Sequence, residues 1–139
     1  MSNFRFYYPI QVRYGDLDPQ WHVNNAHFLT FMEQARVGYL RELGLFDGKS
    51  FFDIGLIVAD IHVAYRAPID LLQNIRIGVR TGRLGNKSLT LHYQIEDADT
   101  GAVLAEAETV MVAYDYRTKT TRPLSDAWRT AISEYENLS

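Results

Sequence analysis

The sequence predicts an α+β protein, a five-stranded antiparallel sheet wrapped around one long helix, with a short second helix near its end. Three observations predict it. Apolar residues recur at helical spacing between Asn25 and Leu43. From Ile57 onward, four segments instead alternate apolar and polar residues, as half-buried strands do. Short turns join neighbouring strands, which favours antiparallel pairing, and one apolar helix can cover one face of such a sheet.

The elements follow in order. Phe4 to Tyr14 is rich in aromatic and β-branched residues, and Pro9 assigns its first half to an edge or a bulge. The helix carries Phe28, Leu29, Met32, Ala35, Tyr39 and Leu40, and Phe31 and Val37 widen the stripe, so burial over much of its girth is expected. Asn24 or Asn25 can cap its start, and Gly44 can stop it. Strands are expected over 57–66, ended by Pro68, then over 75–80, 88–95 and 103–116. The stretch "GNK" at Gly85 to Lys87 reads as a hairpin turn, and "DADTG" at Asp97 to Gly101 as another. Trp128, Ile132 and Tyr135 suggest a final helix behind Ser125 or Asp126.

Bulk properties narrow the function classes. At 139 residues, one domain over 1–139 is expected, with one core. The composition, 47% hydrophobic and 22% charged, belongs to a folded chain rather than a disordered one. A net charge of −3 argues against bulk nucleic-acid binding. The chain has no cysteine, so thiol catalysis and disulfides are excluded. No apolar run is long enough to cross a membrane, and "MSNFRFYYPIQVRYGD" lacks the pattern of a secretory signal. A cytoplasmic protein is expected.

Reactive side chains concentrate in "YGDLDPQWHVNNAHF", Tyr14 to Phe28, at the approach to the helix. A helix start offers unpaired N–H groups and roughly half a positive charge. Such an end can polarise a carbonyl, and a carboxylate on the loop before it can attack or activate water. Asp16 and Asp18 are the carboxylates at hand, and the plainer role for Asp16 is to brace the loop. His22 can orient substrate or simply hold loop backbone. Asn24 reads more as a cap than as a ligand. Asp16, Asp18, His22 and His27 are metal-ligand types, but their spacing matches no strong metal signature, and no metal is expected. Asp60 and His62 share a strand face that either lines a pocket or meets water. Glu33 and Arg36 are spaced for a helix ion pair.

The order of elements, with this loop in place, resembles the hotdog fold. "VRYGDLDPQWHVNNAHFLTFMEQAR", Val12 to Arg36, is similar to the signature of the 4-hydroxybenzoyl-CoA thioesterase family. "VAYRAPIDLLQNIRI" and "GNKSLTLHYQI" resemble the family's next two blocks. The resemblance implies hydrolysis of an acyl-CoA thioester without a cofactor. It places the catalytic carboxylate, as general base or nucleophile, on Asp18 and the oxyanion donor on the backbone N–H of Asn25. Trp21 stands where the family usually has glycine, which is expected to narrow the pocket or to change what the loop backbone can do. Asn74 stands where many members carry an acid.

Coenzyme A would want cations near the surface. Lys87, and Arg83 nearby, lie in the turn that is basic in the resembling enzymes, and a solvated hairpin is the plain alternative. Alternatives for the whole chain are a non-catalytic acyl-thioester binding module and a thioesterase acting on acyl carrier protein. The family pattern also implies a homodimer at least, and a homotetramer by resemblance. Tyr7, Tyr8, Phe28, Phe31 and Phe51 are candidates to line an acyl pocket, although aromatic residues more often fill cores.

Overall fold

The computed structural model describes residues 4–47 and 55–138. Strand β1 (Phe6–Gln11) leads through a single 3₁₀ turn (Tyr14–Asp16) and a loop into helix α1 (Asn25–Glu42). Strands β2 (Leu56–Tyr65), β3 (Asn74–Leu84), β4 (Ser88–Asp97) and β5 (Val103–Asp115) follow. A two-residue strand, β6 (Thr120–Thr121), and helix α2 (Asp126–Glu136) complete the described chain.

The long strands are antiparallel in the order β1-β3-β4-β5-β2, and β6 folds back onto the end of β5. β1 and β2 are therefore the edges. Pro9 sits in β1, an edge strand, which is where a sheet tolerates a residue without an N–H. The five expected strands are all present. β6 was not expected, because two residues are too few to display an alternation. β1 is shorter than expected, since the chain turns at Tyr14. β3 is longer, running on to the Gly85–Lys87 turn, which the amide of Gly85 closes on the carbonyl of Ser88 at 2.7 Å.

One stripe of α1 packs on the sheet: Phe28, Phe31, Met32, Ala35, Tyr39 and Leu40 are buried. Thr30, Glu33, Gln34, Arg41 and Glu42 are exposed, so the helix is covered on one side only and not over most of its girth. It lies over the β1 and β3 half of the sheet. β2 consequently shows apolar side chains to solvent at its edge, with Val58, Ile61 and Tyr65 each more than 40% exposed. A bulge at Ala59 interrupts its pairing with β5.

Both helices end as their sequences dictate. Gly44 takes φ +76, and the amides of Gly44 and Leu45 return to the carbonyls of Arg41 and Leu40, which is the glycine-dependent helix stop. Ser125 caps α2 by accepting from the amide of Trp128. α2 is fastened at its other end by Glu136, whose carboxylate accepts from the hydroxyl of Tyr39 in α1 and, at 2.8 Å, from the amide of Thr81. That amide stands at a bulge in β3, where the regular ladder shifts. Burial first, and then the hydrogen bond to Glu136, push the Tyr39 phenol above its ordinary value.

Candidate active site

The loop between β1 and α1 folds as two nested devices. The inner one is Asp16, which is 1% exposed. Its carboxylate accepts from the Arg13 amide at 2.8 Å and the Arg13 guanidinium at 3.1 Å, and it meets His27 Nδ1 at 3.0 Å. The Asp16 carbonyl takes the amide of Asn24 at 3.0 Å. Burial alone would raise its carboxyl. The hydrogen bonds from Arg13 and His27 outweigh that effect and hold the group below its ordinary value. Asp16 is thus a brace with its capacity spent inside the loop.

The outer device is a small hairpin. Leu17 bridges to Val23, the amide of Asp18 donates to the carbonyl of His22 at 2.9 Å, and the amide of Trp21 donates to the carbonyl of Asp18 at 2.9 Å. A turn of this kind needs a left-handed residue after its corner, a position that glycine fills most readily. Trp21 occupies it with φ +65. The left-handed conformation costs a side-chain-bearing residue about 1–2 kcal/mol. Tryptophan thus meets at some strain a position that glycine would hold freely.

Asp18 stands at the head of that hairpin, partly exposed. Its Oδ1 accepts from the Gln20 amide at 2.9 Å, and Oδ2 meets no donor among the described residues. The carboxylate lines a cavity of about 430 Å³ together with His22, Asn24, Asn25, Tyr65 and Arg66. Phe28 forms part of its floor and is buried. Asn24 caps α1 through Oδ1, which accepts from the Ala26 amide at 2.9 Å. That bond leaves the N–H of Asn25, the first helical residue, with no acceptor among the described residues. The first turn of α1 carries no acid, so the partial positive charge of an 18-residue helix is not cancelled from within the turn.

His22 lines the same cavity and approaches Asp70 at 3.5 Å through Nε2. The structure thus brings Asp18, His22, Asn24 and Asn25 to the wall of one cavity. A carboxylate on the wall of a cavity that also borders a helix start can attack a carbonyl held there, or activate water against it, while an N–H of the helix start polarises the carbonyl.

Other expected residues lie elsewhere. Trp21 does not line this cavity, so its ring does not narrow it; it borders a second one together with Tyr14. Arg83 and Lys87 lie far off. Tyr65 at the cavity pairs with Ala105, which pairs with Ile95, whereas Ile57 at the other end of β2 pairs with Val112 and so with Ser88, next to Lys87. Eight residues of strand separate the two ends, about 25 Å. Within one chain the basic turn does not meet the cavity, and Lys87 contacts Thr121 at 3.4 Å instead. Asp60 and His62 are exposed on β2 opposite Val110 and Glu108 and do not line the cavity. Among the candidate acyl-pocket aromatics, Tyr7 stacks under Arg76 at 4.3 Å and Phe31 is core. Phe51 lies outside the described residues. Asp16 and His27 are bound to each other, and no cluster of three potential metal ligands occurs among the described residues.

Among the cavity residues that were not expected, Tyr65 and Arg66 carry polar tips. The hydroxyl of Tyr65 donates to the Asn25 carbonyl at 3.1 Å, and its ring meets Phe28 edge-on at 5.0 Å. Arg66 supplies a cation and pairs with Glu106 at 2.9 Å. Their signal lay in "YRAP", a strand end halted by Pro68, which brings two polar-tipped residues to one rim of the sheet.

Comparison with known proteins agrees with this architecture. The chain is 31% identical over 125 residues to the long-chain acyl-CoA thioesterase FadM of Escherichia coli, covering 90% of this chain and 95% of that protein. It is 28% identical over 116 residues to the acyl-CoA thioester hydrolase YbgC of the same species, covering 83% and 86%. A solved thioesterase from Thermus thermophilus, complexed with coenzyme A and Zn, superposes with a TM-score of 0.86 at 34% identity over 99% of this chain and 98% of that one. Residues 12–132 match the family described as the thioesterase-like superfamily, and this chain is a member of it.

Proposed function

We propose that the protein hydrolyses an acyl-CoA thioester to the free acid and coenzyme A, with Asp18 as the catalytic carboxylate and the Asn25 N–H polarising the thioester oxygen. The observation that carries this reading is the cavity shared by a carboxylate with one uncommitted oxygen and a helix amide without an acceptor. The relatives named as acyl-CoA thioesterases support the substrate class. With the carbonyl oxygen on the Asn25 amide, Asp18 either takes a proton from attacking water or itself forms an acyl anhydride that water then cleaves. Coenzyme A leaves as the thiol in both routes. Arg66, on the cavity wall, is the cation nearest to hand for a phosphate. Arg83 and Lys87 reach the site only from a second copy.

A second copy is part of the proposal. An edge strand showing Val58, Ile61 and Tyr65 to water is a pairing surface, and the family pattern favours at least a dimer, with a tetramer built from it. Light scattering at micromolar concentration tests this: a mass of one chain would overturn it.

The decisive measurement is thiol release from a panel of acyl-CoAs spanning acetyl to long-chain and aromatic groups. Turnover that Asp18→Asn abolishes supports the reading. Binding of acyl-CoA without thiol release would favour a non-catalytic module, and release from acyl carrier protein alone would move the substrate class. Single turnover in ¹⁸O-water then separates the routes, because label entering Asp18 marks it as the nucleophile.

A further inference from the structure

We propose that Tyr14 and Trp21 form the subsite for the acyl tail, on the far side of Asp18 from the coenzyme A arm. The inference rests on the thioesterase reading and assigns a second cavity that this reading leaves unused. The cavity holds about 360 Å³ and is lined by Tyr14, Gly15, Leu17, Asp18, Pro19 and Trp21. Asp18 is the one residue that lines both this space and the cavity at Asn25.

The two spaces differ in chemistry as the two ends of an acyl thioester differ. The cavity at Asn25 presents Asn24, His22 and Arg66, which suit amides and phosphates. The second presents two aromatic rings, a leucine and a proline, which suit hydrocarbon. With the reacting carbon at Asp18, the polar arm lies in the first and the apolar tail in the second.

The rings themselves favour a ligand over a packing role. Tyr14 is 73% exposed and Trp21 66%, and neither belongs to the buried core or to the side chains packed against it. They meet each other edge to face, with centroids 6.3 Å apart and planes at 67°. Trp21 holds a backbone position where glycine would sit without strain, and it is fixed there by the bond from its amide to the carbonyl of Asp18. One turn therefore sets both the carboxylate and the ring beside it.

The test compares wild type, Trp21→Ala and Tyr14→Ala on acetyl-CoA, octanoyl-CoA and benzoyl-CoA. Each variant should lose about tenfold or more in kcat/KM on octanoyl-CoA or benzoyl-CoA, while acetyl-CoA turnover stays within about twofold. An equal loss on all three, or none on the larger two, overturns the proposal, and Trp21→Phe should restore most of the loss. If wild type cleaves none of these three, the subsite is still tested by binding, separately from the thioesterase reading. In Asp18→Asn with Trp128→Phe, Trp21 is the only tryptophan of the chain's two that remains. Its fluorescence should change with octanoyl-CoA and not with coenzyme A; no change, or the same change with both, overturns the assignment.

Discussion

Asp16 and Asp18 stand two residues apart on one loop, yet their surroundings are opposite. Asp16 is sealed, and Arg13 and His27 occupy its oxygens. Asp18 keeps one oxygen free and borders two cavities. The difference arises from backbone direction. The 3₁₀ turn aims Asp16 back at the strand it has just left, and the hairpin that follows lifts Asp18 onto the rim. Identical chemistry therefore serves folding at one position and is available for reaction at the next.

Exchanging each acid for its amide sharpens that contrast. Asp18→Asn is expected to lower kcat by about a thousandfold or more while leaving Tm near the wild-type value, read by thiol release and calorimetry. A variant that retains turnover would break the comparison. Asp16→Asn is expected to act the other way, costing about 2 kcal/mol because donors around a buried carboxylate lose their charged partner. That corresponds to a fall in Tm of about 5–10 °C for a chain of this size.

The pH dependence should follow the same division. The folded-state value of Asp16 is depressed, so its contribution is fully present above about pH 4 and is lost as pH falls through the folded-state value. Urea unfolding at stepped pH should show wild type losing stability in that acid range more steeply than Asp16→Asn. Parallel curves would deny Asp16 its bracing role. The smallest effect belongs to Trp21→Gly. Relief of the left-handed strain, about 1 kcal/mol, offsets the lost ring contact, and Tm should be equal to or above that of wild type.

Periodicity made the sheet, the long helix and their order legible before any coordinates, because alternation and helical spacing are repeated many times along those segments. Gly44, Ser125 and the Gly85–Lys87 turn were legible for the same kind of reason, each being tied to one backbone geometry. The lining of the candidate site was half legible. Asp18, Asn24 and Asn25 are sequence neighbours, so a local motif carried them. Tyr65 and Arg66 reach the cavity only through the antiparallel return of β2, forty residues away for the Tyr65–Asn25 bond, and no local pattern encodes that meeting. The basic turn shows the converse: Lys87 has the right charge, but strand length carries it to the far end of the sheet within one chain, so only a second copy can bring it to the cavity. Trp21 was read both for its bulk and for its effect on the loop backbone, and the positive φ angle bears on the second of these.

The carboxylate of Glu136 joins parts of the chain that are 97 and 55 residues distant, Tyr39 and Thr81. Both bonds need the long helix seated on the strands, so the junction is expected to form late in assembly, after the barrier. Glu136→Gln should therefore hasten unfolding in stopped-flow experiments while refolding keeps its wild-type rate, making the final helix a clasp that governs how long the native state persists.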